Sequence, residues 1–478
     1  MFHQNVSRYG LATHLALAAA LPAALAQFVS AQTLAVSMLW MMLMAWTWIL
    51  FEPSVFAGET VSRARARVVQ RMLRDPFAWF LLVASLFTFV RWLNSGVKLF
   101  YDAEKTLWTV QEPVMSIFPA SSGDAGFLPF VTALVASTVI LGVKHALGRN
   151  ARIWFGVMVG AFSAIGGMAA AICVANGAEV FKESALATFG APYFAGTSFA
   201  LILPVAIACG IEAEERGITK SRLLFAFAVA GNAVAAFVFL PVILGAAYLV
   251  VSVVTAIVAL ALCKRRQGAA CTARAASMLA LGIIGAASVI LVPSYKDIVH
   301  EKISGFNVEK AFPLALVDRN EALQRVSIAM WKDFQWSGVG IGAFGIQAPF
   351  YVSTEDWSVL PPRPQQSSNG YLTLLAECGI VGSMFWLIGI AFLLFLWVSR
   401  LIRSLKWHSE QEESRSWLVC MPAMVLAGVL VLVLSLADAW FSQGFKSTTL
   451  AIFAASAMTL AASSFPKMRK KREKQVKD

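Results

Sequence analysis

The densest chemistry in the chain lies in the run Ser367-Ser368-Asn369-Gly370-Tyr371-Leu372-Thr373-Leu374-Leu375-Ala376-Glu377-Cys378-Gly379-Ile380-Val381-Gly382. On a helix, Asn369, Thr373 and Glu377 fall at i, i+4 and i+8 and share one face. Glu377 then stands about 12 Å along the axis from Asn369. A carboxylate inside apolar sequence is costly against lipid, so Glu377 is expected to face other helices or a wet cavity. There it could act as a general base. The bland alternative is a helix N-capped by Asn369 whose glutamate protrudes into water. Gly379 and Gly382 by themselves suggest only close helix packing.

Upstream lie four cations, Arg319, Arg325, Lys332 and Arg363. The arginine fork makes paired, charge-assisted hydrogen bonds that suit a diphosphate. A solvated or salt-bridged surface role explains each of them singly, with Asp318 and Glu321 near enough to neutralise Arg319 and Arg325. Between these cations runs Gly338-Val339-Gly340-Ile341-Gly342-Ala343-Phe344. Glycines at alternate positions let backbone approach a ligand closely and can form an anion-holding nest; a bend after an amphipathic helix is the plainer reading. No strand–helix unit surrounds them, so this is no dinucleotide fingerprint.

The elements that must carry these residues follow from composition. Hydrophobic residues make up 58% of the chain and charged ones only 14%, with a mean hydropathy of +0.69. Ordinary soluble domains carry about 25% charged residues. Apolar runs of at least about 18 residues recur throughout, each able to cross a bilayer. They lack period-2 alternation, which excludes a barrel. The fold class is therefore all-α and polytopic, with about twelve spans. These are placed at Leu11–Ser30, Thr33–Phe51, Phe77–Leu93, Phe127–Leu147, Ile153–Val174, Tyr193–Ile211, Leu223–Leu240, Pro241–Leu262, Ala276–Pro293, Tyr371–Val398, Trp417–Leu436 and Ser447–Phe465. The seventh and eighth are separated at Pro241, where a missing N–H favours a break.

Net charge is +12, but the positive residues sit in short segments between spans, which reads as topology rather than nucleic-acid binding. Arg63, Arg65, Arg67, Arg71 and Arg74 follow span two; Lys144, Arg149 and Arg152 follow span four; Lys264, Arg265, Arg266 and Arg274 follow span eight; Arg400, Arg403 and Lys406 follow span ten; Lys467, Arg469, Lys470, Lys471 and Arg472 end the chain. All fall on one side, the cytoplasm by the positive-inside rule, so both termini are inside. Four regions result: a bundle over 1–293, a large outer loop over 294–370, three further helices over 371–466 and a basic tail over 467–478. Asp318–Phe334 in the loop carries a helical stripe, Leu323, Val326, Met330 and Phe334. The first span also resembles a cleavable signal peptide. The six cysteines lie in spans or one basic loop, with no disulfide framework.

Taken together these features resemble the O-antigen ligase and O-antigen polymerase family. Asn369 is followed by nine residues and then Gly379-Ile380-Val381-Gly382, the spacing of the family's His-(Asn/Ser/Gln)-x9-Gly-x-x-Gly signature. Leu374-Leu375-Ala376-Glu377-x-Gly379 looks like its leucine-rich Glu-Gly segment. Arg319 through Gly338-Val339-Gly340-x-Gly342-x-Phe344 looks like its Arg-helix-GxGxGxF stretch. Thr188-Phe189-Gly190-Ala191-Pro192-Tyr193-Phe194-Ala195-Gly196 and Leu203-Pro204 look like its GTFGNPN-type opening of span six.

The resemblance implies a C-type glycosyltransferase-like fold and metal-independent transfer, without cofactor, at the outer face of the bacterial inner membrane. A glycan would leave an undecaprenyl diphosphate carrier for a sugar or lipid A–core acceptor, in lipopolysaccharide or other surface-polysaccharide synthesis. Membrane lipid is the other partner, and nucleic acid is not one. It implies catalysis around Glu377, Asn369 and Ser368, diphosphate binding by Arg319, Arg325, Lys332 and Arg363, and structural roles for Gly338, Gly340, Gly342, Gly379 and Gly382. Three departures bear on this. Ser368 stands where the family has histidine, Leu244 where it has an arginine opening span eight, and Ala191 and Tyr193 erode the span-six motif. A non-catalytic relative that binds lipid-linked glycan or scaffolds export is the second reading. A secondary transporter would call for repeats and midplane charges.

Overall fold

A computed structural model describes residues 2–25, 28–51, 60–94, 99–102, 107–110, 127–176, 191–215, 217–218, 221–240, 242–292, 295, 298, 300, 314–340, 342–360, 367 and 369–410, with positions 423, 426, 427, 429 and 430. Helices α1 (Phe2–Leu25), α2 (Ala31–Phe51), α3 (Val61–Leu73), α4 (Pro76–Leu93) and α5 (Phe127–Leu141) come first. They are followed by α6 (Arg149–Ala175), α7 (Ala191–Glu215), α8 (Ser221–Phe239), α9 (Val242–Gln267), α10 (Ala269–Ile290), α11 (Leu314–Asp333) and α12 (Gly370–Glu410). Among the described residues one short antiparallel hairpin, Leu99–Asp102 with Leu107–Val110, interrupts the succession of helices between α4 and α5. Span eleven is described only at scattered positions, and span twelve lies outside the described residues.

Among the described residues, six helices are long and apolar enough to cross a membrane: Gln32–Leu50, Pro76–Leu93, Asn150–Ala175, Ser221–Phe239, Ala246–Lys264 and Ala269–Ile290. Shorter apolar helices cover Tyr9–Leu21, Phe130–Ala146 and Gly370–Phe385. Their outer surfaces carry large exposed side chains such as Trp40, Leu82, Leu86, Leu249, Ile257 and Ile284. Patches of that kind on a soluble protein would aggregate; here they suit lipid. The chain is a multi-pass membrane protein.

Inside the bundle the pattern inverts. Small residues let helices approach where no hydrophobic effect drives them together: a Cβ on Gly231 of α8 would meet that of Ala164 of α6 at 2.5 Å. Asn232, fully buried beside it, accepts from Ser163 Oγ at 2.5 Å and donates to Gly160 O and Ala228 O at 2.9 and 2.8 Å. A buried amide must be satisfied this way. α8 packs on α6, α7 and α10 and so forms the centre of this half of the molecule.

The expected separation of the seventh and eighth spans is present: α8 ends at Phe239 and α9 begins at Val242. A difference from expectation lies at α3, whose arginines read as a loop in the sequence. Thr60 N-caps a helix there by accepting from Arg63 N, and Ala64, Val68 and Met72 are buried at spacing four. Asp75 then N-caps α4 through Phe77 N, with Pro76 in the first helical turn.

Asp75 also clamps the far end of α5. That helix closes in a π-helical turn, Gly142–Ala146, whose carbonyls Val143 O and Lys144 O accept from Arg152 at 3.0 and 2.8 Å. Lys144 Nζ pairs with Asp75 Oδ2, and His145 Nε2 lies 2.9 Å from the same oxygen. Burial pushes the Asp75 carboxyl up, but the His145 and Lys144 contacts outweigh it and bring the pKa from 3.8 down to about 2. A depressed acid contributes stability above its unfolded pKa and loses it as pH falls through the folded one. Asp75→Asn is therefore expected to lose about 2 kcal/mol at neutral pH. The difference in melting temperature from wild type should shrink between roughly pH 4 and pH 2. A pH-independent difference would mean that the carboxylate charge is not the cause.

Candidate active site

α11 and the segment after it fold on a second, small core. Leu323, Val326 and Met330 are at most 1% exposed and pack with Val339, Phe344, Ala348, Leu360 and Ala376. Phe334, expected on the same stripe, lies past the helix end and is half exposed. Ala376 belongs to α12, so this core joins the polar segment to the first turns of that helix.

The cations separate. Arg325 Nη2 lies 2.5 Å from Asp356 Oδ1, while Ser353 Oγ donates to Asp356 Oδ2 at 2.8 Å and Glu321 stands 3.9 Å away. The Arg325 hydrogen bond, and then that of Ser353, hold the Asp356 carboxyl below the usual range. The principal partner is thus 31 residues distant, not the neighbouring acids that the sequence suggested. Lys332 is exposed at the end of α11. With about 3.6 residues per turn it shares a face with Arg325, and Arg319 lies on another. Arg319 is half-buried, and its Nε is enclosed without a hydrogen bond among the described residues. Arg363 and Ser368 lie outside the described residues, and so do the side chains of Leu244, Ala191 and Tyr193.

The two glycine motifs meet. α12 breaks at Gly379, which has φ 61° and ψ −170°. In an unbroken helix Ile380 N–H would donate to Ala376 O and Val381 N–H to Glu377 O. Instead Val339 N donates to Ala376 O at 2.9 Å and Gly340 N to Glu377 O at 3.0 Å. Ile380 N donates to Gln335 O at 2.8 Å and Val381 N to Trp336 O at 3.3 Å. The 335–340 segment is a splint in which four hydrogen bonds replace two. Broken helices at membrane depth need such a substitute for the freed backbone groups. These N–H groups therefore face α12 rather than an open anion nest. A Cβ on Gly338 would lie 2.4 Å from Glu377 C, and one on Gly379 would lie 2.3 Å from Trp336 O. Gly340 and Gly342 also hold positive φ, 105° and 76°, in the bend that follows, whereas Gly382 is buried on the far side of the break.

Glu377 sits at the break and is 3% exposed, so it is enclosed rather than protruding. Asn369 does cap the helix: its Oδ1 accepts from Tyr371 N at 2.9 Å and Leu372 N at 3.3 Å. Thr373 Oγ1 donates to Asn369 O at 3.2 Å and accepts from Ser367 N at 3.1 Å. The polar face predicted over Asn369, Thr373 and Glu377 thus divides into a cap and an enclosed carboxylate.

Comparison with known proteins assigns this region. Residues 223–387 match the family model described as O-antigen ligase. That segment is similar to O-antigen ligase domains. No curated protein matches the chain. The ligase segment runs from α8 through α11 and the splint and ends just past the break in α12.

One contributor lies outside it. Arg91 of α4 is fully buried and donates from Nη1 to Cys378 Sγ at 3.1 Å and from Nη2 to Glu377 O at 3.4 Å. Its guanidinium stacks over Phe87, 5.4 Å from the ring centroid. A phenylalanine ladder aligns the two helices: Phe77 with Phe392, Phe80 with Phe385 and Phe87 with Phe385, at 5.9, 5.8 and 5.0 Å between centroids. Sequence reasoning passed over Arg91. Its one signal was a lone arginine two residues from the end of an apolar span.

Proposed function

We propose that the chain transfers a glycan from a polyprenyl diphosphate carrier, undecaprenyl diphosphate in a bacterial inner membrane, to a sugar hydroxyl on lipid A–core or on another glycan. The reaction takes place at the Glu377 end of the bundle, which faces outward if both termini are cytoplasmic. The observation that carries this reading is an enclosed carboxylate at a splinted helix break inside the O-antigen ligase segment. A general base must be held within reach of the hydroxyl proton; in support, Glu377 is 3% exposed and its backbone carbonyl is held by Gly340 N and Arg91. The acceptor oxygen attacks the anomeric carbon, its proton passes to Glu377, and the bond to the diphosphate breaks with the electron pair leaving on the diphosphate. Arg319, whose Nε has no hydrogen bond among the described residues, is the described cation best suited to stabilise that leaving charge. Arg325 is committed to Asp356 and orders the loop, Lys332 adds long-range attraction, and Arg363 completes the cationic set.

A second reading, binding without turnover, is favoured by Ser368 at the position of the family's histidine. Purified protein with lipid-linked glycan and acceptor separates the two. Turnover is expected without added metal. Glu377→Gln should lose at least about a hundredfold, the scale of one general base, and Ser368→Ala should keep most activity. Binding with no turnover for any acceptor would establish the second reading. Turnover unchanged in Glu377→Gln would mean a different base.

A further inference from the structure

α3 carries a surface that the transfer reaction does not use. At about 100° per residue its side chains fall into three arcs. Ala64, Val68 and Met72 are buried against the bundle, where α3 packs on α4 and the Gly142–Ala146 turn. Val69 and Leu73, 41% and 56% exposed, form an uncovered apolar edge beside them. Arg63, Arg71 and the C-cap Arg74 are exposed on a third arc, turned away from that edge. Among the described residues none of these three arginines makes an ion pair. Trp79, half exposed at the start of α4, donates from Nε1 to Leu73 O at 2.9 Å. That is the place and amphipathic character of an interfacial tryptophan. Arg91 and Glu377 lie at the other end of α4, about 24 Å away along the axis from Asp75.

We propose that α3 lies in the membrane interface at the end of the bundle opposite Glu377 and binds the phosphates of anionic lipids. An amphipathic helix with a basic face and an apolar edge sits at the headgroup–acyl boundary. The Val69–Leu73 edge enters the acyl region, the Ala64–Val68–Met72 arc holds the helix to the bundle, and Arg63, Arg71 and Arg74 reach headgroup phosphates. The occupant is an anionic lipid rather than an acidic protein because the same short helix carries the basic arc on one face and the uncovered apolar edge on another, with the half-exposed Trp79 hydrogen-bonded to its end. A purely aqueous partner would leave that edge wet.

The test uses the full chain in vesicles of equimolar phosphatidylcholine and phosphatidylglycerol, with spin-labelled lipids reporting relative association. Wild type should prefer labelled phosphatidylglycerol, and the preference should weaken with salt. The combined variant Arg63→Gln, Arg71→Gln, Arg74→Gln should lose about fivefold or more of it, and the corresponding triple lysine variant should keep most of it. Removing three tail charges (Lys467→Gln, Arg469→Gln, Lys470→Gln) should cost clearly less. An unchanged preference in the glutamine variant overturns the proposal and leaves the arginine face to an acidic protein or to no partner. Equal losses from α3 and the tail also overturn it, since net charge alone would then explain the binding.

Discussion

Gly379→Ala is expected to abolish glycan turnover and to unseat the splint from α12. The backbone at Gly379, φ 61° and ψ −170°, lies in a region essentially reserved for glycine, which by itself costs an alanine about 1–3 kcal/mol. The new Cβ would also lie 2.3 Å from Trp336 O, 2.4 Å from Trp336 C and 2.6 Å from Gly338 N. Those are backbone atoms of the splint, and no rotamer change relieves the overlap. If the splint moves away, the backbone groups at 376, 377, 380 and 381 lose their partners, at about 1–3 kcal/mol for each buried one. The total exceeds about 4 kcal/mol, which is exceptional for a single substitution. Gly268→Ala is the control: φ there is 81°, but nothing lies within 4 Å of the added carbon, so only backbone strain remains. Melting temperature, with mass-spectrometric mapping of thiol labelling at the buried Cys378, checks both. Similar modest shifts in the two variants, with Cys378 still protected, would show that the splint tolerates displacement.

Arg91→Met is expected to separate stability from activity. The arginine is fully buried, and among the described residues it makes no ion pair, only hydrogen bonds to a thiol and a carbonyl and a stack on Phe87. Replacing an expensively buried charge by an apolar side chain of similar length is often neutral or stabilising. Melting temperature should therefore hold or rise. Turnover should fall at least tenfold, because the two donated bonds fix Cys378 and the Glu377 backbone at the break, and a small misplacement of a catalytic group is magnified in rate. The loss should appear in kcat more than in KM, since on the proposed mechanism Arg91 acts by positioning Glu377. Arg91→Lys should recover part of the rate. Full activity in Arg91→Met would reduce Arg91 to a packing residue.

What the sequence determined by itself was everything written in local periodicity. Long apolar runs require helices in lipid because the backbone has no other partner there, so α1, α2 and α4 to α10 lie where the runs are. Pro241 marked a break because it lacks an N–H, and Asn369 before Gly370-Tyr371 carried the signature of an N-cap. The order of the Arg, glycine and Glu-Gly motifs pointed to the family that residues 223–387 match. α3 was missed because its pattern is polar enough to read as a loop; only the packing of Ala64, Val68 and Met72 makes it a helix on the bundle.

The tertiary structure alone decided the site. Nothing local ties Arg325 to Asp356, or Arg91 to a helix 286 residues further along the chain. Gly379 looked like a packing glycine within a continuous helix. It is a break because a segment some forty residues earlier supplies four hydrogen bonds in place of the two that the helix gives up there. Periodicity records which face of an element is buried, whereas pairing between backbones distant in sequence records only how the folded chain closes. The enclosure of Glu377 belongs to that second kind of information.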